Sequence, residues 1–272
     1  MTTTTTPPAT TEATASRPST WRAFLAVLAR DVYVTGREMP TFLAQVLIQP
    51  IFFLLTFVVV LGRAGFISGD YGAIMLPGLL ALNAFFGALQ TVAFPLVFEF
   101  SYTREIEDRL LAPMPVPLVA VEKVIYAMLR GLLASVLMVP IGLVMVDVDW
   151  PVSGLLPGLL MITLGAFVGA ALGMVIGTLV PPRRIQVLFA LILAPLMFTG
   201  AVQYPLQSLA DLRWFQVVSA LNPLTYISEG TRAALVPEVP HLPLWLCLSV
   251  SAVAGIVLTG VGIRGFLRRA LD

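Results

Sequence analysis

Long apolar stretches alternate with short charged connectors along almost all of the chain after residue 40. A helix needs about 20 apolar residues to cross about 30 Å of hydrocarbon, and six stretches reach or approach that length. A composition of 58% hydrophobic and 11% charged residues cannot cover a soluble surface. The pattern therefore predicts an all-α membrane protein with six transmembrane helices, at Thr41–Leu61, Gly72–Phe98, Val124–Val146, Leu155–Val180, Ile185–Val202 and Leu242–Ile263.

The basic residues fall mostly on one side of this alternation. That side holds Arg17, Arg22, Arg30, Arg37, Arg104, Arg109, Lys123, Arg183, Arg184, Arg264, Arg268 and Arg269. The other side holds only Arg63, Arg213 and Arg232. Cytoplasmic loops carry the basic excess, so both termini are predicted to be cytoplasmic, with outer loops near residues 62–71, 147–154 and 203–241.

The chain before the first span divides into two segments. Residues 1–20 are mainly Thr, Pro and Ala with almost nothing to bury, which predicts a disordered cytoplasmic tail. Residues 21–38 predict an amphipathic helix in the cytoplasmic membrane interface, and the alternative is a simple extension of the first span. Residues 39–272 then form the transmembrane domain. The apolar face of the interface helix consists of Trp21, Phe24, Leu25, Leu28 and Val32.

The most charged segment, residues 99–123, joins the second and third spans on the predicted cytoplasmic side. Its first part predicts a short helix that ends at Pro113, Pro115 and Pro117, since proline removes amide donors. A rigid helix with one charged face is suited to docking a soluble partner. A solvated loop that only connects two spans fits the charges equally well. The charged residues of this helix are Arg104, Glu105, Glu107, Asp108 and Arg109.

The fourth span carries glycine at every fourth position, namely at Gly165, Gly169, Gly173 and Gly177. This spacing leaves one face of the helix almost bare and lets a neighbouring helix approach closely. Packing within this chain is favoured over a dimer interface.

The outer segment 203–240 is too apolar for an ordinary loop and too interrupted for a span. It predicts two short helices, Leu206–Leu221 and Pro223–Leu235, with Asn222 as the N-cap of the second. Glu229 and Arg232 are three residues apart and so placed to pair. The two helices form either a re-entrant pair shielded by protein or an amphipathic hairpin on the membrane surface.

Several kinds of chemistry are excluded by composition. The single lysine, Lys123, follows no glycine-rich stretch, so the chain has no phosphate-binding loop for ATP. One histidine, His241, and one cysteine, Cys247, exclude His/Cys metal cages and Cys–His nucleophilic pairs. Arg130 is the only ionisable residue well inside a predicted span, and we interpret it as a headgroup anchor. That scarcity disfavours a proton-driven transporter.

Two motifs resemble one family. The stretch NPLTYISEGTRAAL, between a closely linked pair of spans and one last Arg-ended span, resembles the carboxyl-terminal signature of the type-two ABC exporter permeases. SYTREIEDRLLAPMPVP is similar to the same family's loop between the second and third spans, although Ile106-Glu107 stands where a Gly-Thr step is common. The resemblance covers about residues 20–270. It is closest in style to actinobacterial drug-exporter permeases of the daunorubicin-exporter kind, and the family also includes polysaccharide exporters.

The resemblance implies a cytoplasmic coupling helix at Arg104–Leu111 and re-entrant helices before the last span. It implies two permease subunits, identical or different, joined to two separately encoded subunits that bind ATP and Mg. It also implies a bacterial cell-membrane location and no ATPase site in this chain. Its outer gate falls on Asn222, Pro223, Tyr226, Glu229 and Arg232.

The function expected from the resemblance is ATP-driven export of a hydrophobic small molecule, such as an antibiotic, or of a lipid. The alternative within the family is export of a lipid-linked polysaccharide or teichoic acid. An intramembrane lipid-modifying enzyme is a third, weaker possibility. It would need paired reactive groups, for which only the turn residues Asp147 and Asp149 are available.

Overall fold

The computed structural model describes residues 19–66, 71–100, 114–146, 148–181 and 184–271, and these ranges are helical without any strand. The helices are α1 (Thr20–Arg37), α2 (Met39–Leu54, continued to Leu61 in π-helical geometry), α3 (Tyr71–Phe98), α4 (Val116–Met145), α5 (Val152–Leu179), α6 (Ile185–Thr199), a 3-10 turn (Leu206–Leu209), α7 (Arg213–Ala220), α8 (Pro223–Leu235) and α9 (Leu244–Leu271).

Five of these helices are long and apolar enough to cross a membrane, and a shorter apolar helix accompanies them. The five are Met39–Leu61, Tyr71–Phe98, Val116–Met145, Val152–Leu179 and Leu244–Ala270. The all-helical membrane fold predicted from the sequence is confirmed.

The predicted fifth span, Ile185–Val202, corresponds to the short helix α6. This helix has 15 residues, or about 22 Å of length, and ends at Thr199 instead of Val202. The chain leaves helical geometry at Gly200, and Ala201 takes a positive φ of 49°. Val202 then packs against α3, where a Cβ at Gly78 would lie only 2.1 Å from its carbonyl oxygen. Close packing against α3 therefore accompanies a non-helical path from Gly200 to Val202, which the hydropathy pattern had included in the span.

The third span was also predicted with a wrong boundary. Helix α4 begins at Val116, eight residues before Val124, with Pro115 as N-cap and a second proline in its first turn. Proline suits the first turn of a helix because the amides there have no intrahelical acceptor. Pro115 and Pro117, which were predicted to end the preceding helix, begin α4.

Helices α3 and α5 form the centre of the bundle, and 18 of the 28 residues of α3 are buried. The glycine face of α5 lies against other helices of this chain. A Cβ at each of its four positions would approach Ile227 at Gly165, the Phe85 carbonyl at Gly169, the Leu89 carbonyl at Gly173 and Leu96 at Gly177, all within 3.0 Å.

The two ends of the bundle are distinct. Helix α1 and the carboxyl-terminal part of α9 lie at the same end, which we name the basic end. There Thr35 of α1 hydrogen-bonds Tyr126 of α4 at 2.6 Å, and Arg269 of α9 stacks on Phe100 just after α3. The opposite end carries the start of α3, α7, α8 and the start of α9, and we name it the α8 end.

Helix α1 is separate from α2, since the helix is interrupted at Glu38 and α2 restarts with Pro40 in its first turn. Phe24 and Thr35 are its buried residues, whereas Trp21, Leu25 and Val32 are exposed. Residues 1–18 of the predicted tail (1–20) and the predicted coupling helix, Arg104–Leu111, lie outside the described residues, and Thr20 already belongs to α1.

Candidate functional site

Helix α8 begins with a capped first turn. The Asn222 side-chain carbonyl accepts a hydrogen bond from the Leu224 amide at 2.9 Å, and Pro223 occupies the first helical position. The Asn222 amide nitrogen also donates to the Leu196 carbonyl at 2.7 Å and to Thr199 at 2.9 Å. One side chain therefore both starts α8 and ties it to the end of α6.

The body of α8 is enclosed by other helices, and ten of its 13 residues are buried. A Cβ at Gly154 of α5 would lie 2.0 Å from the Ala234 carbonyl, and a Cβ at Gly230 of α8 would meet Met161 of α5 and Cys247 of α9. Glycine is required at position 154 because the α8 backbone lies so close, whereas at Gly230 the close neighbours are the side chains of Met161 and Cys247. Helix α8 is therefore a segment shielded by protein and not part of a hairpin on the membrane surface.

Glu229 lies on α8 with no exposed surface and pairs with Arg232 one turn later. Its Oε1 accepts a hydrogen bond from the Leu206 amide at 3.1 Å, and its Oε2 accepts one from the Leu242 amide at 3.0 Å. The carboxylate thus holds together the 3-10 turn before α7 and the chain entering α9.

Arg232 is likewise fully buried and reaches in other directions. Its Nε donates to the Ile74 carbonyl of α3 at 3.2 Å, and one terminal nitrogen donates to the Ala201 carbonyl at 3.0 Å and to the Val202 carbonyl at 3.3 Å. The guanidinium therefore fixes the positive-φ turn after α6 onto α3.

The Glu229–Arg232 pair therefore links α3, the α6–α7 connection, α8 and the start of α9. Burial lowers the pKa of the Arg232 guanidinium, and the adjacent Glu229 carboxylate opposes that shift. Two charges can remain buried only when each is paired and hydrogen-bonded, as both are here. We name this arrangement the α8 clasp.

Helix α7 differs from the sequence prediction. The predicted helix Leu206–Leu221 is broken into the 3-10 turn and α7 by a turn at residues 210–212. Tyr226 of α8 donates a hydrogen bond to the Ala220 carbonyl at 2.9 Å and so joins α7 to α8. The face of α7 that points away from the bundle is exposed and apolar, with Trp214 and Val217 at its surface and Leu221 just after its end. Only the second of the two predicted helices is buried.

A second buried ion pair, at the basic end, was missed by the sequence analysis. Lys123 Nζ lies 2.9 Å from Glu99 Oε1 and 2.7 Å from Glu99 Oε2, and both side chains are about nine-tenths buried. The hydropathy pattern placed both residues in the charged segment between two spans, because the second predicted span ended at Phe98 and the third began at Val124. The signal that identifies them is the Pro-Val-Pro start of α4, which puts Lys123 in the second turn of a helix.

The acidic pair considered for an enzyme site, Asp147 and Asp149, falls between α4 and α5 in the sequence. Asp149 is exposed, and Asp147 lies outside the described residues. Among the described residues no group of three His, Cys, Asp or Glu side chains is arranged to hold a metal ion.

These features define a multi-pass helical membrane protein with a buried, polar half-helix before its last span. Residues 22–236 match the ABC-2 type transporter family, and the chain belongs to that family as a transport permease subunit. The inner membrane transport permease YadH of Escherichia coli K12 is 26% identical over 259 residues, which cover 90% of this chain and 98% of YadH. The protein ycf38 of Cyanophora paradoxa, which also carries the name of a transport permease, is 27% identical over 228 residues, 76% of this chain and 72% of its own length.

Proposed function

We propose that this chain is the permease subunit of an ATP-driven exporter that moves a hydrophobic small molecule, such as an antibiotic, or a lipid out of a bacterial cell. The match to the ABC-2 type transporter family over residues 22–236 carries this proposal. ATP and Mg would be bound by a separately encoded subunit, since the only lysine of this chain is paired with Glu99 on a helix and belongs to no phosphate loop. Two permease subunits would enclose the export path.

The proposed orientation places the basic end in the cytoplasm. Arg264, Arg268 and Arg269 at the end of α9 lie on the same side of the bundle as α1, which carries Arg22, Arg30 and Arg37. A basic excess favours the cytoplasmic side, so the α8 end would face outward. The charged loop with Arg104, Glu105, Glu107, Asp108 and Arg109 would then meet the ATP-binding subunit as a coupling helix.

In this orientation, α8 with its clasp is the proposed outer gate. Glu229 and Arg232 hold hydrogen bonds to the backbone of three other segments, so the α8 end would move as a unit. An opening that separates Glu229 from Arg232 would leave two charges unpaired, which is costly. We therefore propose that the gate opens with Glu229 and Arg232 still paired, by displacement of the whole clasp against α5, with Asn222 and Tyr226 keeping α6 and α7 attached.

The division of roles is tested by ATP hydrolysis. The purified chain in nanodiscs is expected to hydrolyse no ATP, and addition of its ATP-binding subunit is expected to give turnover above that of the subunit alone. ATP hydrolysis by the rigorously purified chain would contradict the proposal. Export of a lipid-linked polysaccharide in the same reconstituted complex, without export of hydrophobic drugs, would replace the proposed cargo and leave the permease role in place.

A further inference from the structure

A polar cleft lies between α2, α3 and α4. Its α2 wall consists of one helical face, on which Gln45 and Gln49 alternate with the apolar residues Phe42, Val46 and Pro50. The cleft has a volume of about 250 Å³. It adjoins a second cavity of about 220 Å³ toward α1, since Thr91, Pro95 and Arg130 line both.

Three glutamine amides line this cleft, and they are poorly satisfied by the protein. Within the described part of the chain, Gln45 and Gln90 make no hydrogen bond, and the Gln49 amide contacts only the Met197 sulfur at 3.3 Å. Transfer of an amide to an apolar environment without a hydrogen bond is unfavourable, and α2 is a membrane-spanning helix. The cleft is therefore built to hold polar groups and not only lipid tails.

Arg130 is the charged residue common to both cavities. Its guanidinium lies 4.8 Å from the centre of the Phe42 ring, and its Nε is fully buried with no hydrogen bond. Arg130 is about 21 Å along α4 from Val116, so it is about four turns from the start of that helix. None of the described residues gives it an ion pair. A buried donor on a charged group without an acceptor indicates that an external acceptor is missing.

The adjoining cavity supplies a further cation. It is lined by Arg30 of α1 and by Asp31, together with the paired side chains of Glu99 and Lys123. Among the described residues that line this cavity, the three cations, including Arg130, exceed the two carboxylates by one positive charge. The charge excess favours an anionic ligand.

We propose that this cleft binds an amphiphile with an anionic headgroup. The phosphate or carboxylate would contact Arg130 and Arg30, the headgroup's polar atoms would contact Gln45 and Gln90, and the apolar chain would lie against Phe42 and Phe94. A membrane phospholipid and an exported amphiphile share this chemistry. The binding site itself does not depend on the export proposal, because occupancy is measured without ATP.

The test is lipid binding to the full-length chain by native mass spectrometry. The wild type is expected to bind phosphatidylglycerol about tenfold more tightly than phosphatidylcholine of the same chain length, since charge-assisted hydrogen bonds are the strong ones. Arg130→Gln should abolish this preference, and Arg130→Lys should keep most of it. The matched control is Arg264→Gln, an exposed arginine of α9 near the same end, which should behave as the wild type.

A second measurement locates the ligand in the wild-type protein, so that the test does not depend on whether the Arg130→Gln variant folds. A photoreactive phosphatidylglycerol is expected to label peptides that contain Gln45 or Gln90 in the wild type. Equal binding of the two lipids, an unchanged preference in Arg130→Gln, or labelling confined to other helices would overturn the proposal. Lipid extracts of the purified chain separate the two sources. An anionic phospholipid that is present in stoichiometric amount in the wild type and lost in Arg130→Gln identifies the ligand as a membrane lipid. If the extract contains no such phospholipid while the purified chain still binds phosphatidylglycerol in vitro, the natural ligand is another anionic amphiphile.

Discussion

Replacing Glu229 by alanine is expected to lower the free energy of unfolding by about 3–5 kcal/mol. The substitution leaves the fully buried Arg232 without its counter-charge and removes the acceptor of the Leu206 and Leu242 amides. The midpoint of thermal unfolding of the detergent-purified chain should fall by about 10 °C. Transport should be lost in parallel, since the α8 end would no longer be held together.

Two further variants distinguish the clasp from a general loss of charge. Asp211→Ala removes an exposed carboxylate just before α7 and should leave the unfolding midpoint unchanged. Combining Glu229→Leu with Arg232→Met removes both charges and should cost less than the sum of the single substitutions. An unaltered midpoint in Glu229→Ala, or fully additive effects, would show that the clasp does not stabilise the fold.

Replacing Lys123 by alanine is expected to cost about 3 kcal/mol, because Glu99 would remain buried without its partner at the basic end. The midpoint of thermal unfolding should fall markedly. The control is Arg268→Ala, which replaces an exposed arginine at the same end and should leave the midpoint unchanged. Pairing Lys123→Met with Glu99→Gln should recover part of the loss.

Lys123 also offers a chemical readout, since it is the only lysine in the chain. An amine-reactive ester should modify its ε-amine slowly in the folded wild type, where Glu99 holds it in a buried pair. Glu99→Gln should increase the rate of modification. Rapid modification of the wild type would mean that the pair is open in solution.

The apolar pattern predicts the membrane helices and also the bounds of α8. Asn222, Pro223 and the periodicity up to Leu235 are local signals, and the structure places α8 at Pro223–Leu235. A helix cap depends on residues within one turn, so it can be read from a short stretch of sequence. The role of α8 as a gate stays a prediction.

Boundaries that depend on tertiary packing could not be read in this way. The end of α6 at Thr199 is set by contacts of Val202 with Gly78 and of Ala201 with Arg232, which are far apart in the sequence. The burial of Lys123 depends on how far α4 extends before Val124. A hydropathy pattern starts the span only after the charged residues Glu122 and Lys123. The clasp was predicted only as a local pair, because its partners come from three other segments.

Export in a defined orientation tests the central proposal most directly. Inside-out vesicles that contain this chain and its ATP-binding subunit should accumulate a fluorescent hydrophobic drug in their lumen when ATP is added. Accumulation should require hydrolysable ATP and should be lost with Glu229→Ala at equal protein levels. ATP-driven accumulation that is the same without this chain, or with the Glu229→Ala variant, would contradict the account.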